Sequence, residues 1–390
     1  MNAQVITLGC RLNIAESERM RAMLADERDL VVINSCAVTA EAVRHTRQAI
    51  RRARRERPEA RLLVTGCAAD IEREKIAAMP EVDGLIANEA KLDPRAWNIG
   101  TASRSVPAGR TRGFVAIQNG CDHSCTFCII PQGRGASRSL PLHAVLQEVE
   151  THLAEGAPEI VLTGVDLTSW GADLPGSPAL GLLARAILGA FPQLLRIRLS
   201  SIDGAEVDDE LFELLTSEIR MMPHVHLSLQ HGHDLMLKRM KRRHSRRDAV
   251  ALVERLKTRR PEIAIGADLI AGFPTEDEQM HAENRSIIRQ LEIVHGHIFP
   301  YSARPGTPAA RMPQVAAEII RRRARELRED TSEVRAAWLR SLLGTPLRVL
   351  AERDGSGYAE NFARVALAPG TKAGRVVEIA PTAIRQGVLA

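Results

Sequence analysis

The chain has 390 residues, of which 45% are hydrophobic and 26% are charged, a balance that is typical of a globular protein with two or three domains. No apolar run reaches the roughly 18 residues that a membrane-spanning helix needs, and the N-terminal MNAQVITLGC does not show the basic and then apolar order of an export signal. We therefore expect a cytoplasmic protein that does not bind a membrane. The net charge of +5 favours a polyanionic partner.

The first hundred residues repeat one unit, an apolar strand that ends at a cysteine and is followed by a helical or loop segment. Three such strands end at Cys10, Cys36 and Cys67. Alternation of strands and helices predicts a parallel α/β sheet, in which the carboxyl ends of the strands share one edge. We therefore predict that these three cysteines converge in an N-terminal domain of residues 1–97.

The segments between these strands carry helix-forming residues, which predicts helices around residues 15–26 and 41–55. Thr39 is placed to cap the second helix, and Pro58 is placed to end it. A stretch rich in Gly, Ser, Pro and Arg then predicts a linker at residues 98–112.

A second α/β series occupies residues 113–343 and includes charged helices at its end. Its six candidate strands are separated by helical patterns long enough for right-handed crossovers, which predicts a partial (β/α) barrel. The six strands are FVAIQN, EIVLTGV, LRIRLSS, HVHLSLQ, IAIGADLI and HGHIFPY. Short alternating strands after them, LRVLAE, FARVAL and RVVEIAP, predict a small barrel-like β-domain at residues 344–390.

Three further cysteines, Cys121, Cys125 and Cys128, follow the first barrel strand in the stretch NGCDHSCTFCIIPQGRG. Three thiolates at this spacing can hold three corners of a cubane iron-sulfur cluster and leave the fourth iron open. The alternative is a structural zinc site with His123 as the fourth ligand. The position at the predicted barrel mouth, where barrel enzymes place their active sites, favours the iron-sulfur cluster.

The cysteines of the N-terminal domain have an alternative interpretation as buried hydrophobic residues. All six cysteines of the chain, however, fall into two groups of three with none left over. This grouping favours a second cluster with three thiolate ligands.

The barrel strands end in small or polar residues that are expected to face the mouth, although ordinary turns show the same composition. The candidates for contact with a cofactor are Gly164, Asp166, Ser200, Ser201, Gln230 and Asp268. No catalytic triad or paired carboxylate stands out, so we assign no catalytic residue beyond the cysteines.

The spacing C-x3-C-x-aromatic-C, with Phe127 in the aromatic position, resembles the signature of the radical S-adenosylmethionine enzymes. With the other three cysteines and the last β-domain, the chain resembles the methylthiotransferases among them. The stretches that carry this resemblance are TLGCRLNIAESE, VVINSCAVT, LLVTGC, GCDHSCTFCIIPQGRG, RIRLSS, LKRMKRRH, DLIAGFPTE and FPYSARPGTPAA.

The resemblance implies two 4Fe-4S clusters, S-adenosyl-L-methionine as cofactor, and a last domain of the RNA-binding TRAM type, with Asn361 and Phe362 in its strand pattern. It also implies a division of labour between the two groups of cysteines. The cluster at the barrel mouth would generate the radical, and the cluster of the N-terminal domain would supply the sulfur. An electron donor such as flavodoxin or ferredoxin is implied as a partner, whereas the oligomeric state is not indicated.

LKRMKRRHSR and YSARPGTPAA are most similar to the branch that acts on threonylcarbamoyladenosine of tRNA. This similarity implies methylthiolation of carbon 2 of that nucleoside at position 37. The same chemistry on isopentenyladenosine or on a ribosomal protein is the alternative. A non-catalytic nucleic-acid-binding protein with iron-sulfur or zinc sites is the alternative of another class.

Basic segments are the candidates for holding the RNA, since phosphate contacts supply most non-specific affinity. A solvated helix face is the alternative explanation for each of them. The residues chosen first are Lys238, Arg239, Lys241, Arg242 and Arg243, and residues 51–57 and 321–325 are further candidates. Aromatic residues make up only 3% of the chain, so extensive base stacking is not expected.

The chain departs from the family pattern at three positions. His231 and His233 stand where small residues are usual, and Ala15 stands where a larger polar or aromatic residue is usual. We expect altered contacts near the fourth barrel strand.

Overall fold

The structure is a computed structural model that describes residues 2–99 and 111–390. The N-terminal domain is a four-stranded, all-parallel sheet in the order β1-β2-β3-β4, which confirms the predicted α/β sheet. Its strands are β1 (Gln4–Thr7), β2 (Leu30–Ser35), β3 (Arg61–Gly66) and β4 (Gly84–Leu85). Its helices are α1 (Arg11–Met23), α2 (Ala40–Glu56), α3 (Cys67–Ile71) and α4 (Arg73–Ala77).

The helix boundaries of this domain follow local capping chemistry. The Thr39 side chain accepts a hydrogen bond from the N–H of Ala42 at 3.1 Å, so the predicted cap is confirmed. Helix α2 ends two residues before Pro58, as expected. Helix α1 begins directly after Cys10, four residues earlier than predicted. Of the predicted linker, residues 100–110 lie outside the described residues, and its last position, Arg112, already belongs to a strand.

The central domain is a partial barrel of six parallel strand positions in chain order, as predicted. Its strands are β5 (Arg112–Ala116), β6 (Gln118–Asn119), β7 (Arg138–Ser139), β8 (Glu159–Thr163), β9 (Arg196–Leu199), β10 (Ser201–Ile202), β11 (His224–Gln230), β12 (Ala264–Ala271) and β13 (Ile293–Pro300). The order β5-β8-β9 continues through β10-β11-β12-β13, and the break between β9 and β10 falls at Ser200. Strands β6 and β7 form a separate antiparallel pair at the mouth.

Helices of this domain cover the outside of the barrel or lie at its mouth. They are α5 (Ile130–Arg134), α6 (Leu142–Ala154), α7 (Leu180–Ala190), α8 (Asp209–Ser217), α9 (Asp234–Arg239), α10 (Arg246–Arg259), α11 (Glu278–Gln290) and α12 (Ala317–Ser341). Side chains of a strand alternate between two faces. In β11, Val225 and Leu227 therefore join the main hydrophobic core under the helices, while His224 and His226 line the lumen.

The last domain is a small β-domain whose six strands pair in the order β17-β14-β15-β16-β19-β18. The strands are β14 (Leu347–Ala351), β15 (Ser356–Ala359), β16 (Arg364–Ala366), β17 (Val376–Ile379), β18 (Ile384–Arg385) and β19 (Val388–Leu389). Asn361 and Phe362 lie in the turn between β15 and β16 rather than in a strand, because Phe362 adopts a positive φ of 69°.

This β-domain closes the barrel at the end opposite the mouth. The first residue of β9, Arg196, donates hydrogen bonds to the carbonyl oxygens of Tyr358 and Arg348 at 3.2 and 2.6 Å. Phe362 lies 5.0 Å from the ring of His224, the first residue of β11. Within the described ranges, no helix is both long enough and apolar enough to cross a membrane.

Candidate functional site

The cysteines of the barrel lie in the loop between β6 and α5, at the carboxyl end of the first barrel strand. Backbone hydrogen bonds shape the loop: the N–H of Cys121 donates to Gly135 at 3.1 Å, and that of Cys128 donates to Cys125 at 3.1 Å. Thr126 ties the loop to α9, since its hydroxyl donates to the carbonyl of Arg239 at 2.8 Å. Burial raises the pKa of Cys121 to about 12 and that of Cys128 to about 11.

The loop after β8 lies beside these cysteines, where Gly164 and Asp166 were predicted. The Gln118 side-chain oxygen accepts hydrogen bonds from the N–H groups of Val165 and Asp166 at 3.0 and 2.9 Å. A Cβ at Gly164 would lie 2.9 Å from that oxygen and 3.1 Å from the carbonyl oxygen of Gln118, so a larger residue would displace Gln118. The Asp166 carboxylate is 3.8 Å from the sulfur of Cys121. Burial opposes its ionisation, but hydrogen bonds from His123 and Ser169 lower the pKa of Asp166.

Arg242 lies against the same loop, although the sequence placed it among the RNA contacts. Its guanidinium donates to Asp203 at 2.9 Å and reaches the sulfur of Cys125 at 3.5 Å. The side chain is only 8% exposed, so this charge faces the cysteines rather than solvent. Its neighbour Arg243 contacts Glu206 at 2.6 Å.

The cysteines of the N-terminal domain share the carboxyl edge of its sheet, as predicted. Burial raises the pKa of Cys36 to about 11, and the charges of Cys10 and Cys67 contribute to the same rise because the three sulfurs are neighbours. Gly9 has a positive φ of 95°, and a Cβ there would lie 2.9 Å from the sulfur of Cys36. The turn that presents Cys10 therefore requires glycine.

The two groups of cysteines face each other. Helix α5, which follows Cys128, packs on α3, which begins at Cys67, and a Cβ at Gly133 would lie 3.3 Å from that of Cys67. The Asn88 side chain donates to the carbonyl of Gly133 at 2.5 Å and lies 3.9 Å from the sulfur of Cys67. The charge of Cys67 also contributes to the raised pKa of Cys128, after burial.

A buried ionic network joins the two domains at this point. Arg134 donates to Glu16 at 2.8 Å and to Asn13 at 2.5 Å, and Lys91 donates to the same Glu16 at 2.5 Å. Burial opposes the charge of Glu16, but Lys91 and Arg134 lower its pKa. Sequence reasoning missed this network, because each partner is an ordinary charged residue in its own segment.

None of the six cysteines forms a disulfide. The distances between their sulfur atoms indicate which metal they can bind. Four sulfurs around one zinc lie about 3.8 Å apart at the usual Zn–S distance of about 2.3 Å. Neither group of three has all its sulfurs within 4.8 Å of one another. Cys121 does lie that close to His123 and Asp166, but a zinc there would leave Cys125 and Cys128 unused. Three sulfurs that are too far apart for one zinc ion leave the iron-sulfur cluster as the alternative, because it spreads its ligands over several irons.

The other predicted cofactor residues line the lumen and the mouth. The Ser200 side chain is buried, and its hydroxyl has no partner among the described residues. Gln230 ends β11 with a positive φ of 70°, and Ser201 begins β10. The Asp268 carboxylate is 3.0 Å from His226 and 3.1 Å from His297. Phe127 packs edge-on against Phe273 at 6.4 Å.

Of the remaining residues proposed for RNA, Lys238 and Lys241 are exposed, whereas Arg239 donates to the hydroxyl of Thr275 at 2.6 Å. The other basic segments contain many ion pairs. Examples are Arg51 with Glu81, Arg52 with Glu56, Arg322 with Glu278 and Arg325 with Glu329. Pairing of this kind is typical of a solvated helix face.

The unusual histidines have structural partners. His231 is buried and lies 3.2 Å from Glu276, and His233 caps α9 by accepting a hydrogen bond from the N–H of Leu235. Ala15 is buried in α1.

Comparison with known proteins agrees with this geometry. The Radical SAM superfamily matches residues 115–284, and Uncharacterized protein family UPF0004 matches residues 2–87. A threonylcarbamoyladenosine tRNA methylthiotransferase of Rickettsia prowazekii is 42% identical over 407 residues, which cover 100% of this chain and 97% of that protein. The chain belongs to the radical S-adenosylmethionine methylthiotransferases. It is therefore an enzyme of a family that uses S-adenosylmethionine and a 4Fe-4S cluster, with a second cluster in this branch.

Two further comparisons extend the family assignment of this methylthiotransferase. A tRNA-2-methylthio-N(6)-dimethylallyladenosine synthase of Erythrobacter litoralis is 32% identical over 387 residues, covering 90% of this chain and 86% of that protein. A radical S-adenosylmethionine methyltransferase of Kitasatospora setae, solved with cobalamin and a [4Fe-4S] cluster, has a TM-score of 0.56 at 15% identity. That match covers 80% of this chain and 77% of the other, and it supports the fold.

Proposed function

We propose that this methylthiotransferase modifies carbon 2 of N6-threonylcarbamoyladenosine at position 37 of tRNA. The observation that carries the proposal is the meeting of two groups of three cysteines at one barrel mouth, across Asn88 and Gly133. The full-length relative from Rickettsia prowazekii, which is named for this substrate, supports the choice of nucleoside.

Each group of cysteines would hold one cluster. Cys121, Cys125 and Cys128 would ligate the cluster at the barrel mouth, and Cys10, Cys36 and Cys67 would ligate the second cluster. When bound, the first cluster supplies the electron that cleaves S-adenosylmethionine to a radical, and the second supplies the sulfur.

Two arginines near the cysteines would stabilise the anionic thiolates of the site. Arg242 and Arg134 place positive charge beside the two groups of thiolates, which favours their ionised form. The loop from Gly164 to Asp166, together with Ser200 and Gln230, would contact S-adenosylmethionine at the strand ends.

The proposed function also implies two partners, tRNA and an electron donor. The exposed Lys238 and Lys241 would contact tRNA phosphates, and the last β-domain would act as a TRAM module. A low-potential donor such as flavodoxin or ferredoxin would supply the electron. Because its substrate would be tRNA, we expect the enzyme to act in the cytoplasm.

Metal content and S-adenosylmethionine cleavage test the cluster assignment. Anaerobic reconstitution should load about eight irons per chain, and Cys36→Ala and Cys125→Ala should each load about four, as expected for two cubanes. Only Cys125→Ala should abolish the release of deoxyadenosine under reduction. Zinc without iron in the wild type, or iron without any deoxyadenosine, would contradict the enzyme mechanism.

Nucleoside analysis tests the substrate. Deletion of the gene should remove 2-methylthio-threonylcarbamoyladenosine from total tRNA, and the wild-type gene should restore it. Mass spectrometry that finds this nucleoside intact and 2-methylthio-dimethylallyladenosine missing would assign the chain to the other substrate.

A further inference from the structure

Arg11 lies inside the barrel, although it belongs to the N-terminal domain. It follows Cys10 and begins α1, a helix that packs against β5. Its guanidinium carbon is 5.6 Å from the ring centroid of Phe362, which closes the far end of the barrel. The same ring is 5.0 Å from the ring of the lumen residue His224. The side chain therefore extends from the first residue of α1 into the lumen.

The Phe362 ring that Arg11 approaches is shared with two arginines of the barrel strands. Its centroid is 5.9 Å from the guanidinium carbon of Arg112 and 5.0 Å from that of Arg198. Arg112 belongs to β5 and Arg198 to β9. The Arg11 guanidinium thus lies over the same ring as inward-facing side chains of two barrel strands.

The other lumen arginines donate hydrogen bonds to carboxylates, whereas Arg11 contacts the Phe362 ring. Arg198 donates to Glu159 at 2.9 Å, and Arg112 donates to Glu352 at 2.9 Å. Asp268 is engaged by two histidines. Within residues 2–99 and 111–390, no side chain or carbonyl accepts a hydrogen bond from the guanidinium of Arg11. Arg11 is half-buried, and because its guanidinium has no acceptor among the described residues, its five donors are available for a ligand.

We propose that Arg11 binds the carboxylate of the threonyl group and thereby selects the substrate. This inference rests on the proposed function. A planar guanidinium can bind a carboxylate through two parallel hydrogen bonds. The threonylcarbamoyl substituent carries a carboxylate, whereas a dimethylallyl substituent carries none. Arg11 is adjacent to Cys10. The residue that binds the substituent therefore lies in the same short segment as a ligand of the sulfur-supplying cluster.

The arrangement also orients the nucleoside. The N6 substituent would extend into the lumen toward Arg11, while the adenine ring stays at the mouth between the two groups of cysteines. Arg11 is thus a specificity residue that contacts the substrate away from the reacting carbon.

Binding of two synthetic hairpins tests this inference directly. Both have the sequence of a tRNA anticodon arm with threonylcarbamoyladenosine at position 37, and in one of them the threonyl carboxylate is a neutral methyl amide. The reconstituted wild-type enzyme should bind the acid roughly 10-fold or more tightly than the amide, the usual effect of a charge-assisted hydrogen bond.

Variants of Arg11 separate recognition of the carboxylate charge from an effect on folding. Arg11→Gln should bind acid and amide equally, and Arg11→Lys should keep part of the preference because it keeps the charge but loses the planar fork. Arg259→Gln, on α10, removes an exposed ion pair with Glu213 of α8 and should behave as wild type. Iron content should remain about eight per chain in all three variants, which shows that Cys10 is undisturbed.

The outcomes distinguish this inference from the proposed function. Wild-type enzyme that methylthiolates the acid hairpin but binds acid and amide equally would overturn the role of Arg11 and leave the function standing. Arg11→Gln that retains the full preference would do the same. Product from a dimethylallyladenosine hairpin and none from the acid hairpin would overturn both.

Discussion

Charged side chains buried next to the cysteines determine much of the chemistry of this site. Glu16 forms ion pairs with both Lys91 and Arg134, and its side chain is 1% exposed. Two cations and one anion leave a net positive charge between the two groups of thiolates. This charge suits clusters whose thiolate ligands are anionic.

Glu16→Gln should lower the free energy of unfolding by about 3–5 kcal/mol, because it leaves two buried cations without their counter-charge. Chemical denaturation of the purified chain measures this. Glu41→Gln is the control, since Glu41 forms an exposed pair with Arg44 and should change stability by less than about 0.5 kcal/mol. Equal effects of the two substitutions would contradict the role of Glu16.

At the scale of elements, a second buried carboxylate joins the end of the barrel to its outer helices. Glu276 lies before α11, 3.2 Å from His231 after β11 and 3.2 Å from Arg323 of α12. His281 of α11 is 3.6 Å away. The unusual histidine at position 231 therefore holds helices in place rather than contacting a substrate.

The stability of this junction should depend on pH. Burial alone would raise the pKa of Glu276, but hydrogen bonds from His231 and His281 and the charge of Arg323 lower it to about 2, from an ordinary value of 4.5. Its contribution of about 1–3 kcal/mol should be complete above pH 4.5 and should disappear as the pH falls toward 2.

Unfolding measured between pH 3 and 7 for wild type and Glu276→Gln checks this prediction, and the difference between them should shrink below about pH 4.5. Glu262→Gln, at an exposed carboxylate that pairs with Arg260, is the control and should show no such trend. A difference that stays constant with pH would show that the Glu276 carboxylate keeps its ordinary pKa.

At the scale of the whole molecule, the three domains meet in the barrel. The N-terminal domain supplies Arg11 and three cysteines to it, and the last domain closes its lower end with Phe362. The Phe362 ring stacks on Tyr358 at 4.7 Å and lies 5.0 Å from the Arg198 guanidinium. Removal of either outer domain would therefore change the lumen itself.

Phe362→Ala should lower the free energy of unfolding by about 2 kcal/mol, because the half-buried ring loses its contacts with Tyr358, His224 and the lumen arginines. Urea denaturation measures the effect. Leu343→Ala, at an exposed position after α12, should change stability by less than about 0.5 kcal/mol. An unchanged midpoint for Phe362→Ala would mean that the ring does not join the two domains.

The sequence by itself determined the strand-helix alternation, the parallel N-terminal sheet, the six barrel strands and the grouping of the cysteines. Each depends on local periodicity or on residues close together, such as Cys121 and Cys128. Only the tertiary structure decided which charges are buried. Arg134 and Glu16 pair across 118 residues, and Arg242, which the sequence suggested as an RNA contact, lies beside Cys125. Burial and ion pairing depend on contacts between distant segments, and the composition of one segment does not reveal them.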